Sequence, residues 1–121
     1  MVLVDTSVWI DHFRSKNTRF ASLLEGNEVV IHPFVLGELA CGNLANRKAI
    51  IALLHALPLV NKVEDDELLL FLERYALMGR GVGLIDVHLL ASCHLDGCFL
   101  WTKDKRLNGI ASVMGLEFRH G

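Results

Sequence analysis

Short apolar runs alternate along this chain with stretches of helical periodicity, and this alternation constrains the fold more than any other feature. The apolar runs predict strands at 2–4, 29–31, 98–101 and 116–118, with another extended piece at 59–60. The helical pattern starts at Val8 and recurs at 18–24, 33–42, 46–57, 67–78, 84–95 and 107–114. Buried parallel strands read as continuous apolar runs. We therefore predict an α/β fold, a three-layer α/β/α sandwich with a mostly parallel central sheet.

Size and hydropathy narrow the class of protein further. The chain has 121 residues, 52% of them hydrophobic, and a mean hydropathy of +0.38. One domain is expected, and the apolar excess suggests a surface covered by another subunit or a partner. The longest apolar runs, such as 49–54, are far shorter than the roughly 20 residues that cross a bilayer. Asp5 interrupts the first apolar stretch, which argues against a signal peptide. The three cysteines, Cys41, Cys93 and Cys98, have apolar neighbours and are expected to be reduced thiols in the core. A cytoplasmic location is therefore expected.

Four acidic residues stand where a carboxylate is hard to accommodate without a function. Asp5 and Asp104 follow apolar strands, whereas Glu38 and Asp86 interrupt apolar helical stretches. Ligands of parallel sheets bind at the carboxyl ends of the strands, and the four acids can converge there. Such a concentration of negative charge requires a divalent cation, so the pattern predicts a metal-dependent phosphodiesterase.

Each acid also has a structural explanation when it is taken alone. Asp5 and Asp104 can cap the helices that follow them, and the dipole of its helix favours Asp86 in the first turn. Glu38 is the hardest to explain in this way. The segment 34–41 is apolar nearly all round a helical wheel, which predicts a buried helix in which an unpaired carboxylate is costly. A purely structural explanation for all four acids at once is much less probable than such an explanation for any one of them.

Each of the four acids lies in a short segment of distinctive sequence: VDTSVWID at 4–11, GELACG at 37–42, GLIDVHLLA at 83–91 and LWTKD at 100–104. These segments resemble the sequence blocks of PIN-domain proteins, in particular the VapC ribonuclease toxins of toxin–antitoxin pairs. Their order, spacing and flanking residues agree over essentially the whole chain, so residues 1–121 are expected to form a single PIN domain. One departure is Leu107, where the family usually carries a phenylalanine.

The resemblance implies a metal-dependent endoribonuclease. It assigns catalysis and metal binding to the four acids, Asp5, Glu38, Asp86 and Asp104, and supporting roles to the hydroxyls of Thr6, Ser7 and Thr102. Oxygen ligands favour Mg²⁺ or Mn²⁺ over zinc, and the number of metal ions stays open. The resemblance also implies a homodimer and a VapB-type antitoxin. The antitoxin is expected to lie in an apolar groove formed by helices at 18–24, 33–42 and 46–57 and to direct a basic side chain at the acids.

Contacts with RNA phosphates must come from local charge, because the net charge is only −2 and strongly basic surfaces are typical of nucleic-acid-binding proteins. Two basic clusters follow the acid-bearing loops and are candidates for RNA binding: Arg14, Lys16 and Arg19, and Lys103, Lys105 and Arg106. An ordinary solvated face explains them equally well. Trp9 and Trp101 have apolar neighbours and are expected in the core.

Other functions fit the sequence less well. A haloacid-dehalogenase-like phosphatase needs a second aspartate two residues after the first, where this chain has Ser7. A response-regulator receiver needs an acidic pair after the first strand and a phosphorylated aspartate after the third, and neither is present. A zinc site at His88, Cys93, His94 and Cys98 matches no familiar ligand spacing, and His88 is expected to be exposed. A catalytically idle partner-binding domain stays open as an alternative.

Overall fold

A small parallel sheet lies at the centre of the molecule in the computed structural model, which describes residues 1–119. Within those residues the sheet has three strands in the order β2, β1, β3, with β1 (Val2–Val4) between β2 (Val29–Val30) and β3 (Phe99–Trp101). Both pairings are parallel. Single parallel bridges between Ile31 and Leu59 and between Leu100 and Glu117 extend the two edges. The predicted extended pieces at 59–60 and 116–118 are thus reduced to single bridges.

Helices connect and flank these strands, so the predicted α/β class with a parallel sheet is confirmed. In chain order they are α1 (Thr6–Arg14), α2 (Thr18–Glu25), α3 (Pro33–Cys41), α4 (Arg47–Ala56), α5 (Asp65–Arg74), α6 (Leu84–Asp96) and α7 (Lys105–Val113). None of the helices within residues 1–119 is long and apolar enough to cross a membrane. Positions 120–121 of the predicted single domain lie outside the described residues.

Local signals explain most helix boundaries. Pro33 occupies the first turn of α3, and Gly97 ends α6 with a left-handed backbone (φ 69°), as glycine commonly does. Two details differ from the sequence prediction. Asn17, not Thr18, caps α2, because its side-chain oxygen accepts a hydrogen bond from the Phe20 N–H at 2.9 Å. Helix α5 ends at Arg74, well before the predicted residue 78, and Ala76 beyond it adopts a positive φ of 51°.

The core lies between the sheet and its helices and fixes the position of the strand ends. Trp9 and Phe20 are fully buried, with ring centroids 4.6 Å apart in an edge-to-face contact, and Trp101 packs on Phe20 at 5.7 Å. Aromatic pairs of this geometry contribute beyond the area they bury. The predicted burial of both tryptophans is confirmed.

The cysteines divide between the core and the surface. Cys93 and Cys98 are buried free thiols, as predicted, but Cys41 is exposed. It is the last residue of α3, whose outer face turns towards solvent, so its apolar neighbours in sequence do not enclose it in space.

Candidate active site

Asp5 stands at the carboxyl end of the central strand and is held from three sides. It is the N-cap of α1, and its Oδ1 accepts a hydrogen bond from the Thr6 N–H at 2.8 Å. Its Oδ2 accepts from the hydroxyls of Thr102 at 2.7 Å and Ser7 at 3.2 Å. Donors of this kind fix the orientation of the carboxylate. Thr6 and Ser7 follow Asp5 directly in sequence, whereas Thr102, whose supporting role was implied by the resemblance, is brought to Asp5 by the fold.

Asp104 is the second acid at the carboxyl ends of the strands. It caps α7, with Oδ1 accepting from the N–H groups of Arg106 at 2.9 Å and Leu107 at 3.1 Å. Its own N–H donates to the Thr102 hydroxyl at 3.1 Å. Because that hydroxyl also donates to Asp5, Thr102 links the two acid-bearing loops. Both capping hydrogen bonds use one carboxylate oxygen, which leaves the other available for a cation.

Glu38 reaches the same region from α3. Its Oε1 accepts a hydrogen bond from the Thr6 hydroxyl at 2.7 Å, which ties α3 to the start of α1. The expectation that this helix is buried on every side is wrong. Val35 and Leu39 face the core, whereas Gly37 and Glu38 are exposed. Glu38 therefore carries its charge at little desolvation cost, and its contact with Thr6 is what connects it to the other acids.

Asp86 completes the group, which we call the acidic edge (Asp5, Glu38, Asp86 and Asp104). It lies half-buried in the first turn of α6, and its Oδ2 accepts from the Gly83 N–H at 3.2 Å. Burial raises the pKa of Asp86 above its ordinary value, the hydrogen bond from Gly83 opposes this, and the negative charges of Asp5, Asp104 and Glu38 raise the pKa further. All three other acids therefore act electrostatically on Asp86.

The acidic edge is an open arrangement. No three His, Cys, Asp or Glu side chains among residues 1–119 stand close enough together to form a ready-made metal site. Like charges repel when no cation lies between them, and helix capping restrains Asp5 and Asp104 further. The donor atoms are nevertheless all carboxylate and hydroxyl oxygens, the ligands that hard divalent ions prefer. The composition of the edge therefore suits a hard cation, although its four carboxylates are spread.

The basic cluster after β3 (Lys103, Lys105 and Arg106) lies next to these acids. The Lys103 ammonium forms an ion pair with Asp11 at 3.1 Å, and the Lys103 N–H donates to the Ser7 hydroxyl at 3.2 Å. Lys105 and Arg106 form the first turn of α7 and are exposed. This cluster accordingly surrounds Asp104 on the solvent side.

The basic cluster after the first strand is farther from the acids. Arg14 ends α1, and a rise of 1.5 Å per residue puts it roughly 13 Å along the helix from Asp5. The Arg19 guanidinium lies 5.6 Å from the centroid of the Phe118 ring, near the chain end. Contact with RNA stays a prediction for both clusters, and distance favours the one around Asp104.

Two buried histidines, His32 and His88, lie near the acidic edge; sequence reasoning missed His32 and misplaced His88. We call them the histidine pair. Their ring centroids are 6.0 Å apart, and both are almost fully buried. The expectation that His88 is exposed is wrong. His32 caps α3 by accepting from the Phe34 N–H at 3.0 Å, and its place directly before Pro33 was the signal for that role.

Burial sets the charge of the histidine pair. Mainly because of burial, and secondarily because of the nearby His88 and Lys62, the pKa of His32 falls to about 4. Burial likewise lowers the pKa of His88. His32 Nε2 and His88 Nδ1 have no hydrogen-bond partner among residues 1–119, where a charged ring would be costly. His32 is therefore neutral at pH 7.

An apolar groove of about 510 Å³ lies between α1, α2 and α4. Its lining comprises Trp9, His12, Phe13, Lys16, Ala21, Leu24, Glu25, Ile50 and Leu53. The predicted groove helices 18–24 and 46–57 contribute to it. The segment 33–42 was expected to line it and does not, because α3 packs against α1 near the acidic edge through Thr6 and Glu38. Helix α1 takes that place in the groove.

Comparison with known proteins agrees with this arrangement. The PIN domain family model matches residues 2–113. Two curated relatives, both called Ribonuclease VapC32 and both from Mycobacterium tuberculosis (strains CDC 1551 / Oshkosh and ATCC 25618 / H37Rv), are 43% identical to this chain over 117 residues. The match covers 96% of this chain and 94% of each relative. The chain therefore belongs to the PIN-domain family and, within it, to the VapC-type ribonuclease toxins.

Proposed function

We propose that this chain is a divalent-metal-dependent endoribonuclease whose acidic edge holds Mg²⁺ or Mn²⁺ and which acts as the toxin of a toxin–antitoxin pair. The observation that carries the proposal is how the acid-bearing segments are joined at the carboxyl ends of the strands: Thr102 contacts both Asp5 and the Asp104 backbone, and Thr6 contacts Glu38. Burial raises the pKa of Asp86, and the charges of Asp5, Asp104 and Glu38 raise it further. Charges that disfavour one another at the carboxyl ends of parallel strands are the arrangement a hard cation relieves. RNA is the substrate by similarity to the two ribonucleases.

The chain's own residues prepare this site in distinct ways. When bound, a divalent ion acidifies a water molecule and offsets negative charge on the phosphate. Asp5 would meet that ion in a fixed orientation, because Thr6, Ser7 and Thr102 all donate to it. Asp86 differs, since its raised pKa lets its carboxyl hold a proton more readily than a free aspartate does. Asp5 is thus the anchor of the site, and a bound cation would favour the charged form of Asp86.

The decisive experiment is RNA cleavage under controlled metal supply. Purified protein is incubated with a pool of single-stranded cellular RNAs in Mg²⁺, in Mn²⁺ or in EDTA, beside Asp5→Asn and a matched Asp66→Asn control in the exposed first turn of α5. We expect cleavage with either metal, none in EDTA or with Asp5→Asn, and full activity with Asp66→Asn. Cleavage that survives both EDTA and Asp5→Asn would overturn the mechanism. An untouched RNA pool in every metal would favour the idle partner-binding alternative.

The groove between α1, α2 and α4 is the proposed seat of a VapB-type antitoxin. Its lining is largely apolar, which suits the apolar face of an amphipathic helix. Leu53 is 43% exposed in this groove, whereas Val113 on α7 is 82% exposed outside it. Leu53→Glu should weaken inhibition of RNA cleavage by the antitoxin and leave cleavage itself intact, and Val113→Glu should change neither. Equal inhibition of both variants would exclude this groove.

A second copy of the chain is the proposed partner for α5. Leu69 and Leu70 are adjacent on this helix and 60% and 71% exposed. Neighbouring exposed leucines mark an interface more often than scattered single ones. Sedimentation of Leu70→Glu should show a shift from dimer to monomer that Val113→Glu does not cause. A monomeric wild type would contradict the homodimer.

A cytoplasmic location stays a prediction, as does a single domain over residues 1–121.

A further inference from the structure

Gly81 stands out among the three glycines of the loop that precedes α6. A Cβ built on Gly81 would lie 2.6 Å from Nη1 and 2.9 Å from Cδ of Arg106, closer than real side chains approach. A Cβ on Gly79 or Gly83 would meet nothing within 4 Å. The missing side chain of Gly81 thus leaves a notch, and the Arg106 side chain lies in it.

This contact joins the segment that carries Asp104 to the loop that precedes Asp86. Arg106 lies in the first turn of α7, and its backbone N–H donates to Asp104 at 2.9 Å. Gly81 lies in the loop that ends at Gly83, whose N–H donates to Asp86. The Arg106 side chain therefore crosses from the Asp104 loop to the Asp86 loop. Arg106 is exposed, so a solute can reach it there.

The acidic edge needs such a cation if it is to bind RNA. Four carboxylates repel a phosphodiester chain, and a guanidinium fixed at their rim can bind a phosphate through two parallel hydrogen bonds. Lys103 is less available for this purpose, because its ammonium pairs with Asp11 at 3.1 Å. The Arg106 side chain lies against the backbone of a neighbouring loop at Gly81, and its guanidinium is not paired with Asp11 as the Lys103 ammonium is.

We propose that Gly81 is a positioning residue that seats Arg106 so that its guanidinium binds an RNA phosphate beside the acidic edge. The inference rests on the proposed function, since it assumes an RNA substrate. An alanine at 81 would push the flexible arginine out of its notch while the backbone stays in place. Binding of RNA, more than the chemical step, should then suffer.

The test compares Gly81→Ala with Gly79→Ala. Both glycines have a positive φ, +79° and +70°, so both alanines suffer similar backbone strain, but only Gly81→Ala displaces Arg106. KM and kcat are measured with one single-stranded RNA in Mg²⁺ at several salt concentrations. RNA affinity is measured separately in EDTA on each variant combined with Asp5→Asn, so that binding is read without turnover.

We expect Gly81→Ala to raise KM about tenfold relative to Gly79→Ala, the size of one lost charge-assisted contact, with kcat nearly unchanged. The slope of log affinity against log salt is negative and should become less steep by about 0.7, the value for one phosphate contact on a single strand. Arg106→Ala should match both effects, and the double variant Gly81→Ala with Arg106→Ala should be no worse than Arg106→Ala alone.

Three results would overturn the inference: Gly81→Ala equal to Gly79→Ala, an unchanged salt slope in Arg106→Ala, or additive losses in the double variant. If Gly81→Ala lowers the melting temperature more than Gly79→Ala does, Arg106→Gln carries the test through the same salt slope. A wild type that binds RNA without cleaving it would remove the proposed function, and the salt slope would still decide the role of Arg106.

Discussion

The acidic edge and the histidine pair have two helices in common, and burial moves the pKa of Asp86 and the pKa values of the two histidines in opposite directions. Helix α3 carries Glu38 and is capped by His32, and α6 carries both Asp86 and His88. Burial raises the pKa of Asp86 and lowers the pKa of both histidines. In each case the neutral form is favoured, because a charged group loses solvation when it is buried.

Exposure separates the two regions. The histidine pair is almost fully enclosed, so no solute can compensate a charge there, and a neutral ring is the low-energy state. The members of the acidic edge are exposed or half-buried, so a cation from solution can reach them. The same desolvation cost therefore accompanies a structural element in one place and a candidate binding site in the other. Variants of the two regions should therefore differ in what they change.

The largest expected effect is on cleavage at the acidic edge. Asp5→Asn should lower kcat/KM at least about a thousandfold, because metal-ion catalysis supplies several kcal/mol of transition-state stabilisation. RNA cleavage kinetics in Mg²⁺ measure the loss. His32→Asn should leave kcat/KM within about threefold of the wild type at pH 7, because a polar cap survives behind the site. Equal losses in both variants would erase the proposed distinction between the two regions.

The next effect is acid sensitivity from the histidine pair. The pKa of His32 is about 4 in the folded chain against an ordinary 6.5, so the unfolded chain binds a proton first as the pH falls. His32 therefore contributes stability that is present above pH 6.5 and is lost as the pH falls towards 4. The loss should reach about 2 kcal/mol between pH 7 and pH 5. His88, whose pKa is also lowered, shifts stability in the same direction.

Urea unfolding at pH 7 and pH 5 measures this loss. In His32→Asn the position cannot titrate and a capping side chain is kept, so the difference in unfolding free energy between the two pH values should shrink by about 2 kcal/mol. An unchanged difference would mean that His32 is not the group that takes up the proton.

A smaller effect is expected at Thr102, which joins Asp5 to Asp104. Thr102→Val removes the hydroxyl that donates to Asp5 and accepts from the Asp104 N–H. Groups that orient a metal-binding carboxylate are typically worth about 10- to 100-fold in activity. Cleavage kinetics should show that loss, and Thr102→Ser should restore most of the activity because it keeps the hydroxyl. A Thr102→Ser variant as slow as Thr102→Val would point to packing of the methyl group instead.

The smallest expected effect is on stability at Asp86. A raised carboxyl pKa contributes stability that is present at low pH and is lost as the pH rises through the folded value. Asp86→Asn mimics the protonated form, so its melting temperature at pH 7 should equal or exceed that of the wild type. Mg²⁺ should raise the melting temperature of the wild type by more than that of the variant, since binding to the folded state stabilises it. A destabilised Asp86→Asn would show that Asp86 is structural.

Local signals made much of the site predictable. Asp5 and Asp104 follow buried strands and cap the next helices, and both roles depend on residues adjacent in sequence. The contact between Thr102 and Asp5 was only implied by the resemblance to PIN domains. The exposure of Glu38 and the burial of His88 were both predicted wrongly. Each depends on which side of an apolar helix faces the sheet, and a helix that is apolar nearly all round carries no periodicity to decide this.

We could predict from the sequence alone the alternation of strands and helices, the residue types at the strand ends and the resemblance to the PIN-domain family. Those properties are local, because strands, caps and motif blocks are set within a few residues. Three contacts could be known only from the tertiary structure. Three acids that are distant in sequence raise the pKa of Asp86, the rings of His32 and His88 pack together, and Arg106 lies against Gly81. These contacts join segments far apart in the chain, and their geometry depends on how the helices pack on the sheet.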